Sequence, residues 1–219
     1  MSGAVNRTRP IGLYGGSFDP VHLGHLRTAL EVSELLDLER VHFLPSRLPP
    51  HREAPLAGPD VRVQMLEAAL AEVPSFHVDQ RELARGGPSY TIDTLESLRR
   101  ESAQRSLVLI LGMDAFLGLP DWHRATEIMD HAHLMVAHRP GWEPPQTGII
   151  GEWLAVRRVN APAALSEGAG AIYVHPVTAL DISSTAIRDL IGRGADPRLL
   201  VPQSVRRILE QTRCYSSAT

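Results

Sequence analysis

Two patterns alternate along this chain: short apolar runs, and longer stretches in which apolar residues return every three or four positions. Residues 11–14, 41–44, 76–78, 107–111, 134–137 and 172–174 show the first. Short runs of this kind suit strands buried on both faces. Residues 23–36, 61–71 and 91–99 show the second, the last with Ile92, Leu95 and Leu98 at helical spacing. Strand and helix in alternation predict an α/β fold, a parallel sheet whose helices serve as right-handed crossovers. In open sheets of this kind ligands bind beyond the carboxyl ends of the strands. The segments with candidate chemistry fall there: Gly15 follows the first run, Pro45 to Arg52 the second, Gly112 the fourth and Arg139 the fifth.

The first of these segments reads Gly15-Gly16-Ser17-Phe18-Asp19-Pro20-Val21-His22-Leu23-Gly24-His25. Two glycines let the chain turn with its amides exposed, and a proline is tolerated near a helix start. His22 and His25 are three residues apart, so on one helical turn their rings share a face. That end of a helix favours anions through its unpaired N–H groups and its dipole. Two imidazoles there suit a polyphosphate, although capping or core packing would use the same pair. The run matches neither the G-x-G-x-x-G nor the G-x-x-x-x-G-K-[ST] phosphate motif. Metal ligation ranks low: the one cysteine, Cys214, is distant, and no third ligand stands at a recognisable spacing.

Other segments carry candidate chemistry beside plainer alternatives. Residues 45–59 hold five prolines and read as an ordered or semi-rigid loop. At its tip His51 and Arg52 have the chemistry to close over phosphates, or form a plain surface connection. Ser183 and Ser184 precede a helical pattern through Ile187, Leu190 and Ile191, with Arg188 one turn later. That is a second anion-receptive helix end, or an ordinary N-cap with a surface arginine. Asp114, after a strand and a glycine, suits two ribose hydroxyls or a helix cap. Trp122 offers a face for a flat ring, or packs under a loop. Ser89-Tyr90-Thr91 opens a helical pattern as pocket wall or N-cap. Arg139 is a phosphate ligand or a solvated strand end, and His131, His133 and His138 read as structural.

Residues 15–25 together with Ile182-Ser183-Ser184-Thr185-Ala186-Ile187-Arg188 resemble the H-x-G-H nucleotidyltransferase superfamily. Four further elements narrow the resemblance to the bacterial nicotinate mononucleotide adenylyltransferases, in the same order and at similar spacing. They are Leu48-Pro49-Pro50-His51-Arg52, Pro88-Ser89-Tyr90-Thr91, Gly112-Met113-Asp114 with Leu119-Pro120-Asp121-Trp122, and His138-Arg139-Pro140-Gly141. The likeness covers nearly the whole chain and is weakest over residues 142–170. It implies a Rossmann-like open parallel sheet with helices on both faces. It also implies a single domain over residues 1–219 with a helical C-terminal portion from about 183. The implied activity is transfer of AMP from ATP to nicotinate mononucleotide on the route to NAD.

The resemblance assigns His22, His25 and Arg188 to catalysis. To ATP it assigns Gly15, Gly16, Ser17, Phe18, His22, His25, His51, Asp114, Ile182, Ser183, Ser184 and Arg188, with Asp114 on the ribose. To the mononucleotide it assigns Gly16, Ser46, Arg52, Ser89, Tyr90, Thr91, Trp122 and Arg139, with Trp122 stacked on the nicotinate ring. The chain departs from the family at two of these positions. Ser46 stands where relatives often have Asn, and Arg52 where many have Lys, exchanging a point donor for a planar fork. Mg²⁺ is expected to arrive on the ATP phosphates rather than in a protein site. Three alternatives are a pantetheine-phosphate transferase, an adenylating synthetase and a nucleotide sensor. The first leaves Ser-Tyr-Thr and Leu-Pro-x-Trp without a role. The second would carry a tRNA-binding extension, and the third would keep the pocket without turnover.

Composition narrows the setting. A chain of 219 residues, 43% of them hydrophobic, can bury one substantial core. Its formal net charge of -3 gives no reason to expect nucleic acid as a partner, so affinity for phosphate must be local. Residues 1–10 lack the apolar stretch of a signal peptide, and no segment approaches a membrane span, so no membrane partner is expected. A single cysteine allows no internal disulfide and makes a cytoplasmic setting the default expectation. Nothing in the pattern specifies an oligomeric state.

Overall fold

The computed structural model describes residues 8–48, 54–138, 142–178 and 180–216. Among them seven strands form one parallel sheet in the order β3-β2-β1-β4-β5-β7-β6. The strands are β1 (Ile11–Gly16), β2 (Arg40–Pro45), β3 (Phe76–Val78), β4 (Leu107–Gly112), β5 (His133–His138), β6 (Arg158–Val159) and β7 (Ile172–Pro176). The helices are α1 (Leu23–Leu35), α2 (Pro59–Leu70), α3 (Arg81–Ala84), α4 (Thr91–Glu101), α5 (Met113–Leu117), α6 (Ala125–His131), α7 (Gly148–Arg157), α8 (Ser184–Gly192) and α9 (Gln203–Thr212). None is long and apolar enough to cross a membrane.

β4 shows why its run has no polar alternation. Leu107, Leu109 and Leu111 pack on one side with Ile92 and Leu95 of α4 and Ile128 of α6. Val108 and Ile110, between them, join the opposite cluster with Val32 of α1, Met65 and Leu66 of α2 and Val205 of α9. β5 repeats the alternation, with Leu134 and Val136 on the first side and Met135 and Ala137 on the second. The central residues of such a strand each meet a helix layer, so they are apolar.

All six runs read as strands are strands, and the three helices read from periodicity are α1, α2 and α4. Residues 142–170, which carried no motif, contain α7, the edge strand β6 and a 3-10 turn at Pro162–Leu165. The helical C-terminal portion is α8 and α9. α9 lays Val205 and Leu209 into the core beside α2, and the Ser204 hydroxyl donates to Ala68 O at 2.8 Å.

The strand order places the site. The chain lays β2 and β3 outward on one side of β1, then returns to set β4 against its other side. The crevice beyond the carboxyl ends of β1 and β4 is therefore the point where the order reverses. Ligands enter open sheets at such a point.

Candidate active site

Gly15 and Gly16 complete β1 in extended conformation and do not form the turn expected of them; the left-handed residue is Phe18, at φ 46°. That conformation costs a non-glycine residue on the order of 1–3 kcal/mol and persists where the surroundings hold it. Here they do, because the Phe18 ring is buried, 5.7 Å from that of Phe43 and edge-on to Tyr14 and His25 at 5.9 and 5.2 Å. Gly16 supplies space, since a Cβ on it would stand 3.2 Å from the Phe18 ring.

His22 is not inside the helix. It is the N-cap of α1, extended at φ -143°, and His25 is the third helical residue. Each Nδ1 accepts the other residue's backbone N–H at 3.3 Å, a reciprocal capping box made by two imidazoles. The rings stack with centroids 3.6 Å apart. With Nδ1 occupied as an acceptor, the proton of each neutral ring sits on Nε2, which becomes the donating atom. Burial pushes His22 down to about 4, so it is neutral at physiological pH. His22 thus offers an N–H dipole rather than a full charge.

α8 brings a second helix start against the first. Ser183 caps it, accepting from Ala186 N at 3.1 Å, and the Ser184 hydroxyl donates to Pro20 O at 2.9 Å. Ile182 O lies 3.7 Å from where a Cβ on Gly24 would be. Arg188 donates to Asp19 O at 2.8 Å and to the Thr185 hydroxyl at 3.2 Å. Ser184 therefore joins the two helix starts to each other.

On the other flank of the β1 terminus is a cavity of about 170 Å³, lined in part by Gly16, Ser46, Ser89, Tyr90, Thr91 and Trp122. Whole ligands usually occupy pockets of roughly 300–1,000 Å³, so this space encloses a ring-sized part of one. Ser89 does not cap α4; the N-cap is Tyr90, with no side-chain bond. The Ser89 hydroxyl instead accepts from Arg47 N at 2.8 Å, and Ser89 N donates to Leu48 O at 3.0 Å, tying this wall to the end of β2. The Ser46 hydroxyl is buried without a partner among the described residues. A buried hydroxyl left so is an open hydrogen-bonding position on the cavity wall.

A sequence model of the cytidylyltransferase-like family matches residues 13–190. The chain belongs to that family. Its relatives include a protein of Aeromonas hydrophila named "Probable nicotinate-nucleotide adenylyltransferase". The two are 44% identical over 210 residues, which is 95% of this chain and 98% of that one. A protein of the same name from Pseudomonas syringae pv. tomato is 48% identical over 198 residues, covering 90% and 89% of the two chains. Among solved structures, the Plasmodium falciparum nicotinic acid mononucleotide adenylyltransferase complexed with NaAD has a TM-score of 0.72. The match covers 95% of this chain and 98% of that one, at 14% identity, a likeness of fold.

Within this family frame the remaining candidates fall as follows. Asp114 is exposed in the first turn of α5, beside the mouth of the cavity but not on its wall. Trp122 is half-buried and follows a 3-10 turn at Leu119–Asp121. His51, Arg52 and Arg139 lie outside the described residues. The structural reading of His133 fits: its Nε2 meets Glu167 O at 2.9 Å and its Nδ1 accepts from Ala171 N at 3.0 Å.

Sequence reading missed Tyr14, Glu82 and His123, all on the cavity wall. His123 packs its ring against Tyr90 at 4.3 Å, and its place beside Trp122 was the only available signal. Glu82 lies in a helix of four residues and accepts from the Thr94 hydroxyl at 2.9 Å, with its carboxyl pushed up by burial. Nothing in a run so short announces it.

Proposed function

We propose that the protein joins the AMP part of ATP to nicotinate mononucleotide, releasing pyrophosphate and forming nicotinate adenine dinucleotide for NAD synthesis. One observation carries this reading. At the carboxyl end of β1, two converging helix starts stand on one flank and an aromatic-walled, ring-sized cavity on the other. A phosphate donor and a ring-bearing acceptor would meet across Gly16 and Ser17.

The chemistry asks little of the side chains. The phosphate of the mononucleotide is an anion at neutral pH, so its oxygen attacks the α-phosphorus with no proton to remove. The bond from that phosphorus to the bridging oxygen breaks, and pyrophosphate departs with the electron pair. Positioning for in-line attack can supply roughly 7–11 kcal/mol, so no covalent enzyme intermediate is needed. His22 and His25 donate from Nε2 to the developing charge, and Arg188 adds a guanidinium. Trp122 stacks on the pyridine ring, with Ser46, Ser89, Tyr90 and Thr91 around it.

Asp114 is assigned to the ribose, and His51, Arg52 and Arg139 to phosphates. ATP would enter as its Mg²⁺ complex, the ion held by phosphate oxygens. The Asp19 carboxylate is taken by other bonds. We place the reaction in the cytoplasm, where ATP is at hand and the unpaired Cys214 stays reduced.

The test is pyrophosphate release from ATP and Mg²⁺ with nicotinate mononucleotide, nicotinamide mononucleotide or phosphopantetheine as acceptor. Strong preference for the first is expected. Preference for phosphopantetheine would overturn the acceptor, and ATP binding without turnover on any of them would overturn the transfer itself.

A further inference from the structure

Asp19, three residues before the first histidine of the motif, is 3% exposed, and its carboxylate joins four separate parts of the chain. Oδ1 accepts the Tyr215 hydroxyl at 2.6 Å and Ala57 N at 3.0 Å; Oδ2 accepts Leu56 N at 2.9 Å. Arg188 Nη1 stands 3.7 Å from Oδ2 while donating to the Asp19 carbonyl at 2.8 Å. The loop after β1, the segment entering α2, the start of α8 and the turn beyond α9 are thereby fixed to one another. Tyr215 is itself buried in the core, and its hydroxyl, unlike the two backbone N–H groups on the carboxylate, can be deleted by a substitution.

The long Arg188 contact is informative. A guanidinium facing an unoccupied carboxylate closes to a short bidentate pair, near 2.8 Å. Here the Tyr215 hydroxyl and Ala57 N on Oδ1 and Leu56 N on Oδ2 fix the plane of the carboxylate, and Arg188 takes the neighbouring carbonyl with only a loose pair to Oδ2. We propose that Tyr215 is a positioning residue for the transfer. By fixing the Asp19 carboxylate through Oδ1 it keeps the loose ion pair of Arg188 with Oδ2 from closing to a short one, and so sets where that guanidinium stands for the ATP phosphates. This rests on the assignment of Arg188 to ATP made above. It gives a role in the chemistry to Tyr215, which is not on the cavity wall.

Tyr215→Phe deletes the hydroxyl and keeps the ring. Loss of one charge-assisted hydrogen bond should lower kcat/KM for ATP about tenfold, with KM for nicotinate mononucleotide within twofold of wild type. With Arg188→Lys already present, the same substitution should cost less than twofold, because residues acting as one unit are not additive. A merely structural Tyr215 would give additive losses or equal losses on both substrates, and either result overturns the proposal. So does a Tyr215→Phe enzyme with wild-type kcat/KM. Should Tyr215→Phe fail to fold, Asp19→Asn removes the charge and one of the acceptor oxygens beside Arg188, and its loss in kcat/KM for ATP should likewise shrink below twofold over Arg188→Lys, additive losses overturning the proposal. If the wild-type protein turns over none of the acceptors, the transfer reading falls on its own. Calorimetric ATP binding then carries the test, with a tenfold weakening by Tyr215→Phe that vanishes over Arg188→Lys expected, and additivity overturning it.

Discussion

Gly24 separates the two histidines for a steric reason. A Cβ there would stand 3.0 Å from Nδ1 and 3.1 Å from Cε1 of the His22 ring, which its hydrogen bond and its stack on His25 prevent from moving aside. Gly24→Ala should therefore displace His22 and lower kcat about tenfold or more while circular dichroism keeps its helical signal; wild-type kcat would show the ring free to shift. His22 also makes stability depend on pH. Its value of about 4 in the fold lies below the 6.5 of an unfolded chain, so between those values the unfolded state takes a proton that the folded state refuses. Stability from this group is full above pH 6.5 and is lost as pH falls toward 4. His133, also lowered by burial, acts in the same direction. His22→Asn keeps a capping oxygen and removes the titration. Its Tm should fall less than that of wild type between pH 7 and 4.5, and parallel curves would refute the assignment.

At the scale of elements, α2 braces the loop after β1 through a buried cation. Arg62 is 1% exposed; its Nη1 donates to Ser17 O at 2.7 Å and its Nε to Ala57 O at 3.2 Å, with Asp19 the charge nearby. Arg62→Met strands those carbonyls and removes one of the two guanidinium charges near Asp19, Arg188 being the other. A cost of about 1–3 kcal/mol should appear in urea unfolding, together with a lower kcat; an unchanged midpoint would mean that the carbonyls find other donors. A single Arg inside a helical run carries no mark of this role in the sequence. The strands were legible because burial on both faces removes polar positions, and α1 and α4 because one stripe of each is apolar. α7 was not, since apolar residues surround it and its Gly151 serves a close approach, a Cβ there standing 2.5 Å from the carbonyl carbon of Gln146.

For the whole molecule, the order of strands decides which motifs become neighbours. Residues 15–25 and 182–188 lie at opposite ends of the chain, yet Ser184 reaches Pro20 because both helix starts stand on the same side of the sheet at its carboxyl edge. The sequence by itself determined the alternation of strand and helix, the edge of the sheet that carries the chemistry, and the residue types that suit phosphate and a flat ring. Those follow from periodicity and from local backbone geometry, which each segment sets alone. Only the tertiary structure decided that two imidazoles cap one helix through their Nδ1 atoms, that Phe18 rather than a glycine makes the turn, and that Glu82 and His123 line the cavity. It also decided that Tyr215 closes on Asp19. These depend on hydrogen bonds and contacts between distant segments, whose pairing a linear pattern does not encode.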